Sequence, residues 1–371
     1  MSDQDLAVHR RLSQAIDSMT IDVERGLSDL VSSRGSPPRR HRAASAVFAL
    51  IVAVAGLAVV GRAFIHSASR VGAGAHAQSI LFTRWELTPE EPGFPDPRIW
   101  SVGVDGASAA PLPQPAGQSK SAVWSPDGTR IAFVSSDWST AWGLWVMNAD
   151  GSNLTELAGG FGADQLAWSP DGRAITFLGV RDPEGPLASP TGIWTVPATG
   201  GEPQLVLEGG DWEEPSWSPD GTQLVVVGWN ADVRSLYTVN ADGSQLTQIT
   251  NDGAGYAEPR WSPDGTRIAC ARWADPSAWD VNVYTMNADG SQLQQLTDWN
   301  GWDSDPIWSP DGSQILFTSD RDATPTELAI DEQQSAGEQG LAVYVMKADG
   351  SGVRSLFDDG AMQSVPTSWG P

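Results

Sequence analysis

From residue 79 onward, short apolar runs alternate with turn-forming clusters, and the alternation repeats. WSPDG stands at 124–128, 168–172, 217–221, 261–265 and 308–312, with a broken copy, Trp369-Gly370-Pro371, at the end. Successive tryptophans are 44, 49, 44, 47 and 61 residues apart. A second run follows each: ILFT at 80–83, IAFV at 131–134, ITFL at 175–178, LVVV at 224–227, IACA at 268–271 and ILFT at 315–318. A third, aromatic run begins at 99, 144, 193, 236, 283 and 343, and in four repeats it leads into Ala-Asp-Gly-Ser. Each unit therefore occurs six times, with a period in the range of radially repeated folds.

The runs are short and rich in β-branched and aromatic residues, which favours strands. They are apolar on both alternating faces, as expected of a sheet sandwiched between two others. Ser-Pro-Asp-Gly supplies a tight turn, and Ala-Asp-Gly-Ser a second hairpin. The pattern predicts an all-β, six-bladed β-propeller over residues 79–371, each blade a four-stranded meander lettered a to d from the WSPDG tryptophan strand outward. The chain enters on a b strand and leaves on an orphan a strand, so the C-terminal strand is expected to close the first blade.

The N-terminal part has another character. Residues 43–61 run nineteen positions without a charge, long enough to span a bilayer at about 1.5 Å per residue. Arg34, Arg39, Arg40 and Arg42 precede this run, against Arg62 and Arg70 after it. That bias predicts a single-pass cell-membrane protein with a cytoplasmic N-terminus and an extracytoplasmic propeller. A retained anchor is preferred to a signal peptide, whose cleavage site at Ala75-His76-Ala77 would lie far beyond the apolar run. Leu12, Ile16, Met19, Val23, Leu27 and Leu30 form a helical seam. The expected domains are a cytoplasmic helical segment (1–42), a transmembrane helix (43–65), a tether (66–78) and the propeller (79–371).

Charge narrows the function classes. Of a formal net charge of −24, the positive part lies before residue 77; beyond it 13 basic side chains face 40 acidic ones. Such a surface repels phosphate backbones, so a nucleic-acid partner is not expected. All four histidines, His9, His41, His66 and His76, precede the propeller, and Cys270 is the single cysteine. The propeller therefore has no imidazole for a Ser/His/Asp triad and no Cys or His cage for zinc. No catalytic residue and no cofactor is expected.

The pattern P-x-WSPDG-x-x-(I/L)-x-F followed by LY-x-MNADGS resembles the TolB-type, WD40-like Pro-Asp propeller family, over roughly residues 79–371. The resemblance implies the fold and a tendency to bind partners. TolB carries a separate N-terminal α/β domain, where this chain has a short segment and an apolar anchor. Pro-Asp propellers also resemble the gating domains of prolyl-oligopeptidase-like peptidases, but this chain has no G-x-S-x-G and no downstream histidine.

In a meander the a–b and c–d turns share one face and the b–c and d–a loops the other. The first set is nearly uniform here, the second variable, and variable loops on a rigid scaffold are where binding is usually built. The d–a loops carry Asp164; Trp212, Glu213 and Glu214; Tyr256 and Glu258; and Trp302, Asp303 and Asp305. Glu214, Glu258 and Asp305 each stand three residues before a WSPDG tryptophan, so they are expected to gather at the channel mouth. They are candidates for binding a protein or peptide partner, a basic segment included. The alternatives are a cation site or a metal-dependent hydrolase, or acids that cap backbone N–H groups. The loops 84–98 and 320–341 are expected to form a flap beside the mouth.

Overall fold

The structure is a computed structural model. It describes residues 79–370 except for the short segments 88–94, 106–108, 116, 137–141, 160, 182–190, 210, 231–232, 275–279, 323–340 and 358–363. The expected cytoplasmic segment, transmembrane helix and tether (1–78) lie outside the described residues, among which no helix is long and apolar enough to cross a membrane.

Six four-stranded antiparallel sheets form the ring. Five are consecutive meanders. In the sixth, blade 1, the C-terminal strand Ser364–Trp369 pairs with Ser79–Leu87, placing Ile80 opposite Trp369 and Arg84 opposite Ser364. Gly370 N–H donates to the Ser79 carbonyl (2.8 Å) and the Thr367 hydroxyl to that of Leu81 (3.3 Å). The two ends of the propeller are thus fastened in one sheet, as the phase of the repeat predicts. Blades 2 to 6 follow in chain order. The innermost strands are Gln118–Trp124, Phe161–Trp168, Trp212–Trp217, Gly255–Trp261, Asp303–Trp308 and, in blade 1, Ser364–Trp369.

The apolar b strands are buried on both faces because each sheet has a neighbour on either side. Leu224, Val225, Val226 and Val227 are all fully buried. Leu224 and Val226 pack with Ile193 and Leu207 of blade 3, whereas Val225 and Val227 pack with Ile268 and Cys270 of blade 5. Burial of each such side chain contributes about 1.5–3 kcal/mol, which explains why a four-residue run without polar positions is kept. The tryptophans stitch the same interfaces: Trp168 Nε1 donates to Val123 O and Trp308 Nε1 to Arg260 O, both at 3.1 Å.

The SPDG turns are built alike. Ser125 Oγ donates to Asp127 Oδ1 (2.7 Å), which also accepts the Thr129 N–H (3.0 Å), and Gly128 takes φ 65°. These bonds, the Ser125 hydroxyl foremost, hold the Asp127 carboxyl at about 2. One expectation changes. Residues 84–98 are not a loop throughout, because the hairpin stays paired from Arg84↔Arg98 out to Leu87↔Pro95. Its tip, and most of 320–341, lie outside the described residues.

Candidate functional site

The innermost strands start at the variable-loop face, and all six show a register shift shortly before their final tryptophan. In blades 2 to 6 one residue there lies in the left-handed region: Ser121, Gln165, Glu214, Glu258 and Asp305, with φ between 51° and 56°. A non-glycine residue held there costs about 1–3 kcal/mol, so surrounding contacts must enforce it.

A relay of hydrogen bonds around the channel does so. Glu214 N–H donates to Gln165 Oε1 (2.7 Å), Glu258 N–H to Glu214 Oε2 (2.5 Å) and Asp305 N–H to Glu258 Oε2 (2.5 Å). The side chains of Gln165, Glu214 and Glu258 thereby cap the backbone of the next blade. Towards blade 1, Ser121 N–H meets Thr83 Oγ1 (3.3 Å), and Asp164 Oδ1 accepts both the Ser121 hydroxyl and the Gln165 N–H (2.9 Å each). At the far end, the position three before Trp369 is Pro366, which has no N–H to give. Asp305 Oδ2 instead accepts the hydroxyls of Thr318 (3.0 Å) and Ser304 (3.2 Å). Among the described residues the relay thus starts from Thr83 in blade 1 and stops at Asp305 in blade 6.

The geometry raises the carboxyl pKa of two members. Burial, then the negative charges of Asp305 and Glu214, push Glu258 well above the ordinary glutamate range. Asp305 is also raised by burial, against the Thr318 hydroxyl bond and the charge of Arg260.

The remaining candidates divide by blade. Asp164 pairs with Lys120 (2.9 Å). Glu213 and Glu214 share Arg234, each at 2.7 Å. Asp303 is fully buried and accepts Arg321 Nη2 with both oxygens (2.9 and 2.8 Å). Tyr256 is buried, its hydroxyl donating to Asp252 and accepting from Arg272 Nε. Trp212 packs edge-on against Tyr237, and Trp302 Nε1 donates to Ser304 Oγ (2.7 Å). So Glu214, Glu258 and Asp305 are linked through one series of hydrogen bonds, while Trp212 and Trp302 reach to the preceding blades, Trp212 Nε1 donating to Glu208 O (3.2 Å) and Trp302 packing on Ala257, Ala271 and Val281.

What the sequence reading missed are the cations: Lys120, Arg234, Arg272 and Arg321 each pair with an acid at this face. The available signal was their rarity, since few of 13 basic residues would fall near these loops by chance. Among the described residues no group of three or more His, Cys, Asp or Glu side chains is placed to hold a metal ion. Among the described residues two tryptophans stay open: Trp229 is 46% and Trp299 37% exposed. Their Nε1 atoms donate to Glu213 (3.3 Å) and Asp320 (2.7 Å), and the guanidinium groups of Arg234 and Arg321 lie over their rings.

A profile of the lipoprotein LpqB β-propeller domain matches residues 143–370. The chain belongs to this family. No curated protein sequence matches it. Among solved structures, the LpqB-type propeller is similar to TolB from Acinetobacter baumannii, with 18% identity and a TM-score of 0.61 over 80% of this chain and 67% of that one. It is similar too to a putative TolB from Agrobacterium tumefaciens, at 21% identity and TM-score 0.57, covering 80% and 94%. An oligogalacturonate lyase in complex with manganese shares 13% identity and a TM-score of 0.51 over 74% and 77%. At such identities these likenesses establish the TolB-like fold, which binding proteins and enzymes share.

Proposed function

We propose that this LpqB-type propeller is a non-catalytic binding module of the cell envelope, tethered to the membrane by residues 43–65, that recognises a protein or peptide partner through its variable-loop face. The observation that carries the reading is the pair Trp229 and Trp299. Each indole is fixed by a carboxylate at its N–H and a guanidinium over its ring, yet remains among the most exposed large apolar side chains. Pre-ordered aromatic anchors lose little freedom on binding and dominate interface energetics. The neighbouring acids are largely neutralised by Lys120, Arg234 and Arg321, so aromatic contact outweighs charge there. Family membership supports an envelope role, and the absence of histidine beyond residue 76 supports a non-enzymatic one.

The test is crosslinking and affinity capture from native membranes with the full chain, comparing the wild type with Trp229→Ala/Trp299→Ala. Loss of a specific captured protein with the melting temperature unchanged supports the reading. An identical capture profile rejects it.

A further inference from the structure

On the uniform-turn side, the groove between blades 2 and 3 is filled by one of the protein's own arginines. Arg130 stands six residues after Trp124. Its Nη2 donates to the Gly172 carbonyl (2.8 Å) and Nη1 to that of Ala198 (3.2 Å). Its guanidinium carbon lies 4.8 Å from the centroid of the Trp168 ring. All three contacts come from repeat positions in the next blade: the tryptophan and glycine of WSPDG, and the alanine just past strand c.

The same frame recurs between blades 4 and 5, where the counterparts are Trp261, Gly265 and Ala288. In both interfaces the SPDG proline of the earlier blade lies beside the SPDG glycine of the later one. The filling differs. Six residues after Trp217 stands Gln223, whose amide nitrogen turns to Asn240 Oδ1 (3.4 Å). Among the described residues no donor reaches the carbonyl oxygens of Gly265 or Ala288. A cavity of about 500 Å³ results, lined by these residues with Asp220 and Asp264 at its rim.

We propose that this groove is a receptor for the side chain of an arginine presented by a partner protein. The occupant is read from the protein itself, because Arg130 displays how the frame binds a guanidinium: two carbonyl acceptors at one edge and an indole face beneath it. A planar fork with several donors satisfies both carbonyls while stacking, which a lysine ammonium does not. The rim favours a cation as well. The Asp220 and Asp264 carboxyls are held below the ordinary aspartate range by the Ser218 and Ser262 hydroxyls and by turn N–H groups, so both are charged at neutral pH. The inference stands apart from the variable-face reading, since it concerns the opposite side of the ring.

Isothermal titration of the full chain with N-acetyl-arginine amide, against its neutral isostere N-acetyl-citrulline amide, tests the proposal. The arginine derivative is expected to saturate one site with a Kd on the order of a millimolar, given its size. The citrulline and lysine derivatives are expected to bind at least about tenfold more weakly. Gln223→Arg should fill the groove from within, abolishing that binding and raising the melting temperature. Asp264→Asn, which retains an acceptor for the turn, should weaken binding several-fold. The proposal is overturned if the arginine and citrulline derivatives bind alike or not at all. It is overturned equally if Gln223→Arg folds poorly, or if its groove still binds the probe.

Discussion

Two sets of repeated acids stand at opposite ends of the same innermost strands and behave in opposite ways. The SPDG aspartates lie in exposed turns, accept a serine hydroxyl and a backbone N–H, and have lowered pKa values, about 2 at Asp127 and Asp311. The bulge acids Glu258 and Asp305 also accept N–H or O–H donors, yet theirs are raised. Hydrogen bonding is common to both sets; desolvation and like charge are not. In the turns, water screens the carboxylate and the bonds dominate. In the ring, Glu258 and Asp305 are buried close to each other and to Glu214, and burial with like charge outweighs the bonds. Repetition multiplies independent turns harmlessly, but it concentrates charge wherever the repeats converge.

The comparison breaks most completely if the ring is opened. Deleting residues 364–371 removes the strand that closes blade 1 and exposes a long sheet edge at Ser79–Leu87. The expected loss is on the order of 5 kcal/mol or more, with a broadened thermal transition. An unchanged melt would contradict closure. Next comes the buried pair: Asp303→Ala strands Arg321 among aromatic rings and should cost about 3–5 kcal/mol in denaturant titration.

Glu258 sharpens the contrast through opposite signs. Glu258→Ala leaves the Asp305 N–H without its acceptor and should destabilise by about 1–3 kcal/mol. Glu258→Gln keeps an acceptor, as Gln165 does for Glu214, while removing a disfavoured charge; it should stabilise the fold at neutral pH. The pH dependence follows from linkage. With its pKa raised in the folded state, Glu258 contributes stability that is full below the ordinary glutamate range and is lost as pH rises through the raised value. The turn aspartates act oppositely, contributing above the ordinary aspartate range and losing that contribution as pH falls towards about 2. Melting temperature should therefore rise on mild acidification from neutrality and fall in stronger acid, with Glu258→Gln flattening the upper limb. A profile for Glu258→Gln superimposable on wild type would refute the role of this carboxyl. The smallest effect is expected at a single turn: Asp127→Ala should cost no more than about 1 kcal/mol, because solvent surrounds it.

Much of this was legible in the residues. The six-fold recurrence of WSPDG, the doubly apolar b strands and the chain's entry on a b strand specify blade number, strand order and closure, since each is a local pattern repeated. The three acids before Trp217, Trp261 and Trp308 were legible as a group for the same reason. Their role was less so. Glu214, Glu258 and Asp305 hold left-handed backbone, and the bonds their N–H groups give to a side chain of the preceding blade join residues 44 to 49 apart. Spacing alone does not distinguish a side chain that caps a neighbouring N–H from one that awaits a ligand.

What the sequence determined by itself was therefore the repeat, the turn chemistry, the acidity of the propeller and the absence of imidazole from it. Those depend on local propensity and composition. Only the tertiary structure decided which acids are neutralised by Lys120, Arg234, Arg272 and Arg321, which are drawn into the relay, and why Asp305 turns to hydroxyls where Pro366 offers no N–H. It also decided that Arg130 fills one groove while Gln223 leaves its counterpart open. Charge pairing depends on distances between strands, and groove filling on distances between blades, and both are fixed only once the sheets have paired and packed.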